Sequence, residues 1–148
     1  METPLYSLLL ADDDTDDCML FKEALEELPL KADLKTVHSG MELMHALASS
    51  PGNLPHALFI DLNMPGKTGF ECLSEIKNDE KTRKLPIIIH STSFDLETVS
   101  QLYNSGAHYY IRKPGEFSLL KKVLYKAVIM TAKESSLQPP MDKFVIRP

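Results

Sequence analysis

The chain has 148 residues, 43% of them hydrophobic and 25% charged, with a formal net charge of −5, which suits one globular domain with a sizeable core. A mildly acidic chain without a Lys/Arg block is a poor partner for nonspecific nucleic acid or a membrane surface, and Cys18 and Cys72 are too few and too far apart for a disulfide framework or a zinc site. No apolar run reaches the length of a membrane span, and Leu5–Ala11 lacks a basic leader and runs straight into acids, so a soluble, cytoplasmic protein with reduced thiols is expected.

Five short apolar runs read as strands: Leu5–Ala11, 34–38, Ala57–Ile60, 87–90 and 109–111. Their brevity, and the Ile-Ile-Ile run after Pro86, fit strands buried on both faces of a parallel sheet. Helical patterns lie between them. Phe21, Ala24, Leu25 and Leu28 share one face, with Pro29 as the stop. Leu43, Met44 and Leu47 mark a second helix before Ser50-Pro51-Gly52, and Phe70, Leu73 and Ile76 a third. Leu96, Val99, Leu102 and Tyr103 mark a fourth ending near Gly106, and Leu120, Val123, Leu124, Ala127 and Val128 a fifth. Five alternations with short connections predict a single α/β doubly wound domain over residues 1–133. Residues 134–148, with Pro139-Pro140, read as a short, loose extension without an output domain.

Such sheets bind ligands beyond the carboxyl ends of their strands, and the unusual polar residues fall there. Asp12-Asp13-Asp14 follow the first run, Asp61 the third, Ser91-Thr92-Ser93 the fourth and Lys113-Pro114 the fifth. A helix start accounts for Asp14, Asp16 and Asp17, because acids complement the orphan amides and the macrodipole. It leaves Asp12 and Asp13, adjacent carboxylates that repel unless a cation neutralises them. All-oxygen ligands favour Mg²⁺ or Mn²⁺ over zinc. Asp12, Asp14, Asp16 and Glu23 also match four positions of an EF-hand calcium loop, but Asp17 replaces its turn glycine and a strand precedes it, so the match is read as accidental.

Asp61, followed by Asn63-Met64-Pro65-Gly66, is more than the polar end of a strand, because an aspartyl carboxylate can attack phosphorus and form an acyl phosphate. That transfer depends on positioning and charge neutralisation. Asp12 and Asp13 can hold the metal, Lys113 supplies a cation, and Ser91 with neighbouring amides supplies donors. Singly, a strand-end Lys is usually solvated and a strand-end Ser usually starts a turn; joint placement carries the inference.

The sequence resembles the receiver domain of two-component response regulators. The resemblance rests on Leu8-Leu9-Leu10-Ala11-Asp12-Asp13, on Asp61-Leu62-Asn63-Met64-Pro65 with Gly69, on Ile87-Ile88-Ile89-His90-Ser91 and on Tyr110-Ile111-Arg112-Lys113-Pro114, and it runs from about residue 5 to 133. It implies a CheY-like, flavodoxin-like (βα)5 fold with five parallel strands in the order 2-1-3-4-5. Asp61 would accept a phosphoryl group from a sensor histidine kinase or phosphotransfer protein. Asp13 and Asp61 would ligate Mg²⁺ (Mn²⁺ as substitute), with the Asn63 backbone carbonyl as a third ligand and Asp12 acting largely through water. Ser91, Thr92 and Lys113 would bind the phosphoryl oxygens. Ser91 would swing toward them as Tyr110 moves inward, and Lys113-Pro114 would be a cis peptide.

Three positions depart from the commonest pattern. Ser91 replaces the more frequent Thr but keeps the hydroxyl, Thr92 is larger than the usual small residue and is expected to slow donor access, and Gly115 stands where a Phe often follows Lys-Pro. His38, His45, His56, His90 and His108 show no metal-ligand spacing and read as structural or solvated. The methionines of the second helix read as core filling. Leu119, Ile129 and Met130 broaden the apolar stripe of the last helix, as burial or as part of a homodimer or partner surface.

The expected function is a single-domain response regulator, not a turnover enzyme, that passes its message to a downstream protein target through the fourth helix, fifth strand and fifth helix. A phosphate shuttle or sink in a multistep relay is the nearest alternative. The rival of another class, a small aspartyl-nucleophile phosphatase of the haloacid dehalogenase type, needs Thr or Val where Asp16 stands and a cap domain that does not fit. A pseudo-receiver acting only as a scaffold would not need the acids, hydroxyl and Lys that are all present.

Overall fold

Alternate residues of each strand point to opposite faces of a sheet, and here both faces find a helical layer. The computed structural model describes residues 5–49, 52–134 and 137–148. Strands β1 (Leu5–Ala11), β2 (Lys31–Val37), β3 (Ala57–Ile60), β4 (Ile87–Ser91) and β5 (Tyr109–Arg112) alternate with helices α1 (Thr15–Glu26), α2 (Gly40–Ser49), α3 (Gly69–Lys77), α4 (Leu96–Asn104) and α5 (Phe117–Glu134). They form one parallel sheet in the order β2-β1-β3-β4-β5, as the resemblance implies. Leu9, Ala11, Leu58, Ile60, Ile87, Ile89 and Tyr110 pack with Leu43, Leu73, Ile76 and Leu102 of α2–α4. Leu8, Leu10, Phe59, Ile88, Tyr109 and Ile111 pack with Phe21 and Leu25 of α1 and Val123 and Leu124 of α5. Fully burying a side chain of this size contributes roughly 1.5–3 kcal/mol, so these two layers supply most of the drive to fold.

The β1–β3 pairing fixes the site. Ala11 is in register with Ile60, which sets Asp12 beside Asp61 one residue beyond each strand, and the Asp61 N–H donates to the Ala11 carbonyl at 2.9 Å. Helix α1 starts where the acid run predicts: Asp14 is its N-cap, its side chain accepting from the Asp17 N–H. Thr68 and Glu71 form a capping box at the start of α3. Gly69 is required there for space, since a Cβ would lie 2.7 Å from the Asp61 carbonyl oxygen. Gly66, at φ 79, turns the chain after Pro65 in the left-handed region that glycine tolerates.

Several expectations change. Strand β2 runs from Lys31 to Val37 and alternates between exposed and half-buried positions, because it is an edge strand instead of a doubly buried one. Phe70, Leu96 and Met41 are exposed, and α3 buries Cys72 in place of Phe70. Ser50 and Pro51, read as the stop of α2, lie outside the described residues. No cis peptide bond is present among the described residues, so Lys113-Pro114 takes the trans form, which a prolyl amide prefers by about 0.5–1 kcal/mol.

The C-terminal extension is not loose. After a 3-10 turn at Met141–Lys143, Val145 forms a parallel bridge with Tyr110. The Tyr110 N–H donates to the Phe144 carbonyl at 3.0 Å, and the Ile146 N–H donates to the Tyr110 carbonyl at 2.9 Å. Phe144 and Ile146 are buried. Proline content suggested an open tail; the aromatic and aliphatic side chains beyond it provide enough apolar surface to dock it.

Candidate functional site

Four chain segments meet at the carboxyl end of the sheet. Asp12 is almost fully buried, and its Oδ1 accepts from the Asp14 N–H at 3.0 Å. Asp61, also buried, accepts from the Asn63 N–H at 3.5 Å. Carboxylate oxygens of Asp12, Asp13 and Asp61 lie within 4.8 Å of one another, with Asp13 exposed to solvent. Lys113 enters from beyond β5, its N–H donating to the Ser91 carbonyl at 2.8 Å. Its ammonium lies 2.9 Å from Asp12 Oδ2, 2.8 Å from Asp17 Oδ2 and 3.6 Å from Asp61 Oδ2.

These placements have electrostatic consequences. Burial, and then the Asp12 charge, push the Asp61 carboxyl up to about 6 despite the opposing pull of Lys113. For Lys113, burial works to lower the ammonium, but the hydrogen bonds it donates to Asp12 and Asp17 and the charges of Asp12 and Asp61 outweigh it and hold the group protonated. Three carboxylates, Asp12, Asp17 and Asp61, thus crowd around one ammonium, and Asp13 joins Asp12 and Asp61 in a second group of three. Asp12, Asp13 and Asp61 present hard oxygen atoms close to one another, and the exposed Asp13 keeps that group open to water. This donor set fits a hexacoordinate divalent cation that retains several waters.

The switch residues are gathered but engaged elsewhere. The Ser91 Oγ is buried and accepts from the Ser93 N–H at 3.2 Å in a local turn, with its side chain also hydrogen-bonded to the Tyr110 hydroxyl. Tyr110, expected to move inward, is already fully buried, and its hydroxyl donates to the Ser93 carbonyl. The reason is packing: Phe94 meets its ring edge-on at 6.0 Å, and Phe144 of the extension lies 6.4 Å away on a tilted plane. Thr92 is exposed at the exit of β4, and Asn63 is exposed in the turn after Asp61.

Sequence reasoning misses one participant, Asp17, and reads His90 correctly as structural. The acid run explains Asp17 as a complement to the helix dipole, but it lies one turn beyond Asp13 on the site-facing side of α1 and takes a full share of Lys113. His90 is buried against Phe21, with ring centroids 5.6 Å apart, and neither ring nitrogen has a hydrogen-bond partner among the described residues. Burial, and then the charge of Lys113, push it down to about 3, so it is a neutral core residue. Burial likewise pushes the Cys18 thiol up to about 11, and its Sγ lies 3.5 Å from the Asp12 carbonyl oxygen. No helix among the described residues is long and apolar enough to cross a membrane.

Comparison with known proteins agrees with this geometry. Residues 8–125 match the family model of the response regulator receiver domain. The probable methanogenesis regulatory protein FilR2 of Methanothrix harundinacea is 28% identical over 122 residues, covering 80% of this chain and 79% of that protein. Response regulator Rcp1 of Synechocystis is 28% identical over 127 residues, covering 82% of this chain and 85% of its own length. The crystal structure of the phosphorylated cyanobacterial phytochrome response regulator RcpA matches with a TM-score of 0.78 at 28% identity, covering 93% of this chain and all of that one. The Mn²⁺-bound form of Rcp1 shares the fold, with a TM-score of 0.76 at 23% identity over 91% of this chain and 99% of that one. A family match over most of the chain, on a sheet of the same order, places this protein in the response regulator receiver domain family, the receiver component of two-component systems.

Proposed function

We propose that Asp61 is the phosphoacceptor of this receiver, taking a phosphoryl group from the phosphohistidine of a sensor kinase or phosphotransfer protein. The observation that carries the reading is the convergence of Lys113, Asp12 and Asp13 on the Asp61 carboxylate. Asp12 is the less available nucleophile, since Lys113 and the Asp14 N–H hold its oxygens at 2.9 and 3.0 Å, against 3.6 Å from Lys113 and 3.5 Å from the Asn63 N–H at Asp61. In the transfer, an Asp61 oxygen forms a bond to phosphorus as the bond from phosphorus to imidazole nitrogen breaks. The electron pair returns to that nitrogen, which takes up a proton. Asp13, Asp61 and the Asn63 carbonyl, with Asp12 through water, would hold Mg²⁺ or Mn²⁺, whose charge neutralises the entering phosphoryl oxygens. Lys113 would pair with another of those oxygens, and Ser91, with Thr92 alongside, would donate to the third.

This reading gives the protein its own phosphorylation and dephosphorylation and no turnover of an external substrate. It fits a cytoplasmic site of action, where a kinase donor meets it, and a downstream protein target; a shuttle or sink in a relay uses the same chemistry. RcpA, the relative solved in phosphorylated form, supports the acceptor role, and the Mn²⁺-bound form of Rcp1 supports the cation. Intact mass after incubation with acetyl phosphate and Mg²⁺ tests it. One phosphoryl increment is expected on the native chain and none on Asp61→Asn; an increment retained by the variant overturns the assignment.

A further inference from the structure

We propose that residues 138–147 are a strap that closes the β5 edge of the sheet in cis, and that loading Asp61 releases it. The inference rests on the phosphoacceptor reading above. The two edges of the sheet are managed differently. Strand β2 is blunted by Lys31, Asp33 and Lys35 along its length, a common protection for a free edge. Strand β5 lacks that pattern, and its outward Tyr110 N–H and carbonyl are both taken by the extension, through the Phe144 carbonyl and the Ile146 N–H.

The strap is held by two kinds of contact. The first anchors it away from the site: the Tyr103 hydroxyl donates to the Pro139 carbonyl at 2.7 Å, and the Gln138 amide donates to the carbonyls of Tyr103 and Ala107. The second kind reaches the segment that leaves β4. Phe144 lies between the rings of Tyr103 and Tyr110, and the Arg147 guanidinium stands 5.8 Å over the Phe94 ring. Phe94 in turn rests edge-on against Tyr110, whose hydroxyl is tied to Ser93, and the Ser93 N–H is bonded to Ser91 Oγ. A continuous set of contacts therefore runs from the Ser91 hydroxyl to the end of the chain.

Loading changes the demand on Ser91. New oxyanions on Asp61 are strong acceptors at the end of the neighbouring strand, and they compete with the Tyr110 hydroxyl oxygen for the Ser91 proton. Turning Oγ toward them takes the acceptor from the Ser93 N–H. Residues 92–94 then repack, and Phe94 leaves both Tyr110 and Arg147. The strap keeps its outer anchors and loses the inner ones, which uncovers the β5 edge for a partner. Coupling of this kind is reciprocal: what loosens the strap must also favour the loaded state.

Hydrogen exchange of the full chain, followed by mass spectrometry, tests this at the Ile146 amide. Slow exchange with Mg²⁺ alone and exchange about tenfold faster after loading with acetyl phosphate are expected, with loading read separately from intact mass. Phe94→Ala without phosphodonor is expected to give the same acceleration, since it removes the inner contact while the outer anchors remain. Normal loading with unchanged exchange in both samples overturns the strap and leaves Asp61 as acceptor. A chain that takes no label overturns the strap together with the reading beneath it, and the mass identifies that case. Protection that falls on dilution would seat the segment on a second copy and overturn the cis contact.

Discussion

Lys113 donates to Asp17 at 2.8 Å, a shorter contact than the 3.6 Å that separates it from Asp61. The carboxylate of α1 thus draws the ammonium to one side of the group it is proposed to serve. Replacing Asp17 with Asn removes a competing charge and leaves Lys113 to Asp12, Asp61 and an incoming phosphoryl oxygen. The expected result is faster loading from acetyl phosphate, about threefold, corresponding to ~0.6 kcal/mol of transition-state stabilisation. Time-resolved intact mass measures it; slower loading would show that Asp17 positions Lys113 and does not compete for it.

Divalent cation binding has a separate thermal signature. Asp12, Asp13 and Asp61 present oxygens within 4.8 Å of one another, and uncompensated repulsion among them disfavours the folded state. A ligand bound only by the folded state, at a hundred times its Kd, adds about 2.7 kcal/mol, or roughly 5–10 °C in Tm for a domain of this size. Mg²⁺ is expected to raise Tm by that amount in the native chain and to do little in Asp13→Asn. Removing the Asp13 charge relieves part of that repulsion, so without metal the variant should melt at or a little above the native Tm. Equal Mg²⁺ shifts in both proteins would remove Asp13 from the ligand set.

His90 predicts a pH dependence whose sign follows from its burial. The unfolded chain takes up a proton on this imidazole near 6.5, whereas the folded chain holds it neutral down to about 3. Between these values the unfolded state binds more protons, so the contribution of His90 is complete above 6.5 and is lost as pH falls toward 3. The full swing is on the order of 5 kcal/mol. His90→Leu has nothing to protonate there, so its unfolding free energy should gain on that of the native chain as pH drops from 7 to 4. Urea titrations at those two pH values compare them, and parallel losses in both proteins would contradict it.

The parts of this molecule that follow simple periodicities were readable in advance. Strand β3 was legible from four consecutive apolar residues, and the site from acids, a hydroxyl and an ammonium at successive strand ends, because chain order and sheet order coincide around β1, β3 and β4. Asp17 was not legible as a Lys113 partner, because an acid in a first helical turn has a sufficient local explanation. His90 reads as structural, and the alternation of β4 bears this out: one residue from Ser91 along the chain, it faces the opposite helical layer and packs on Phe21. The extension escaped because docking through the Tyr110 backbone depends on an edge strand that only tertiary structure exposes, and a short segment after two prolines carries no period of its own.

Two glycines separate what the site needs from what the chain tolerates. A Cβ at Gly69 would meet the Asp61 carbonyl oxygen at 2.7 Å and the Leu62 Cα at 2.8 Å. Both are backbone atoms that cannot swing away, so the start of α3 must move back or the Asp61 peptide must shift. Overpacking of this kind costs about 1–3 kcal/mol, and because the displaced peptide carries the acceptor carboxylate, it reaches the chemistry as well as the fold. At Gly115, in the loop after Lys113-Pro114, a Cβ would meet nothing within 4 Å, so Gly115→Ala should change stability by less than about 0.5 kcal/mol. Gly69→Ala is expected to lower both Tm and the rate of phosphoryl uptake, with Gly115→Ala close to native in both. If Gly69→Ala is destabilised but loads at the native rate once folded at low temperature, then α3 supports the domain without aiming Asp61.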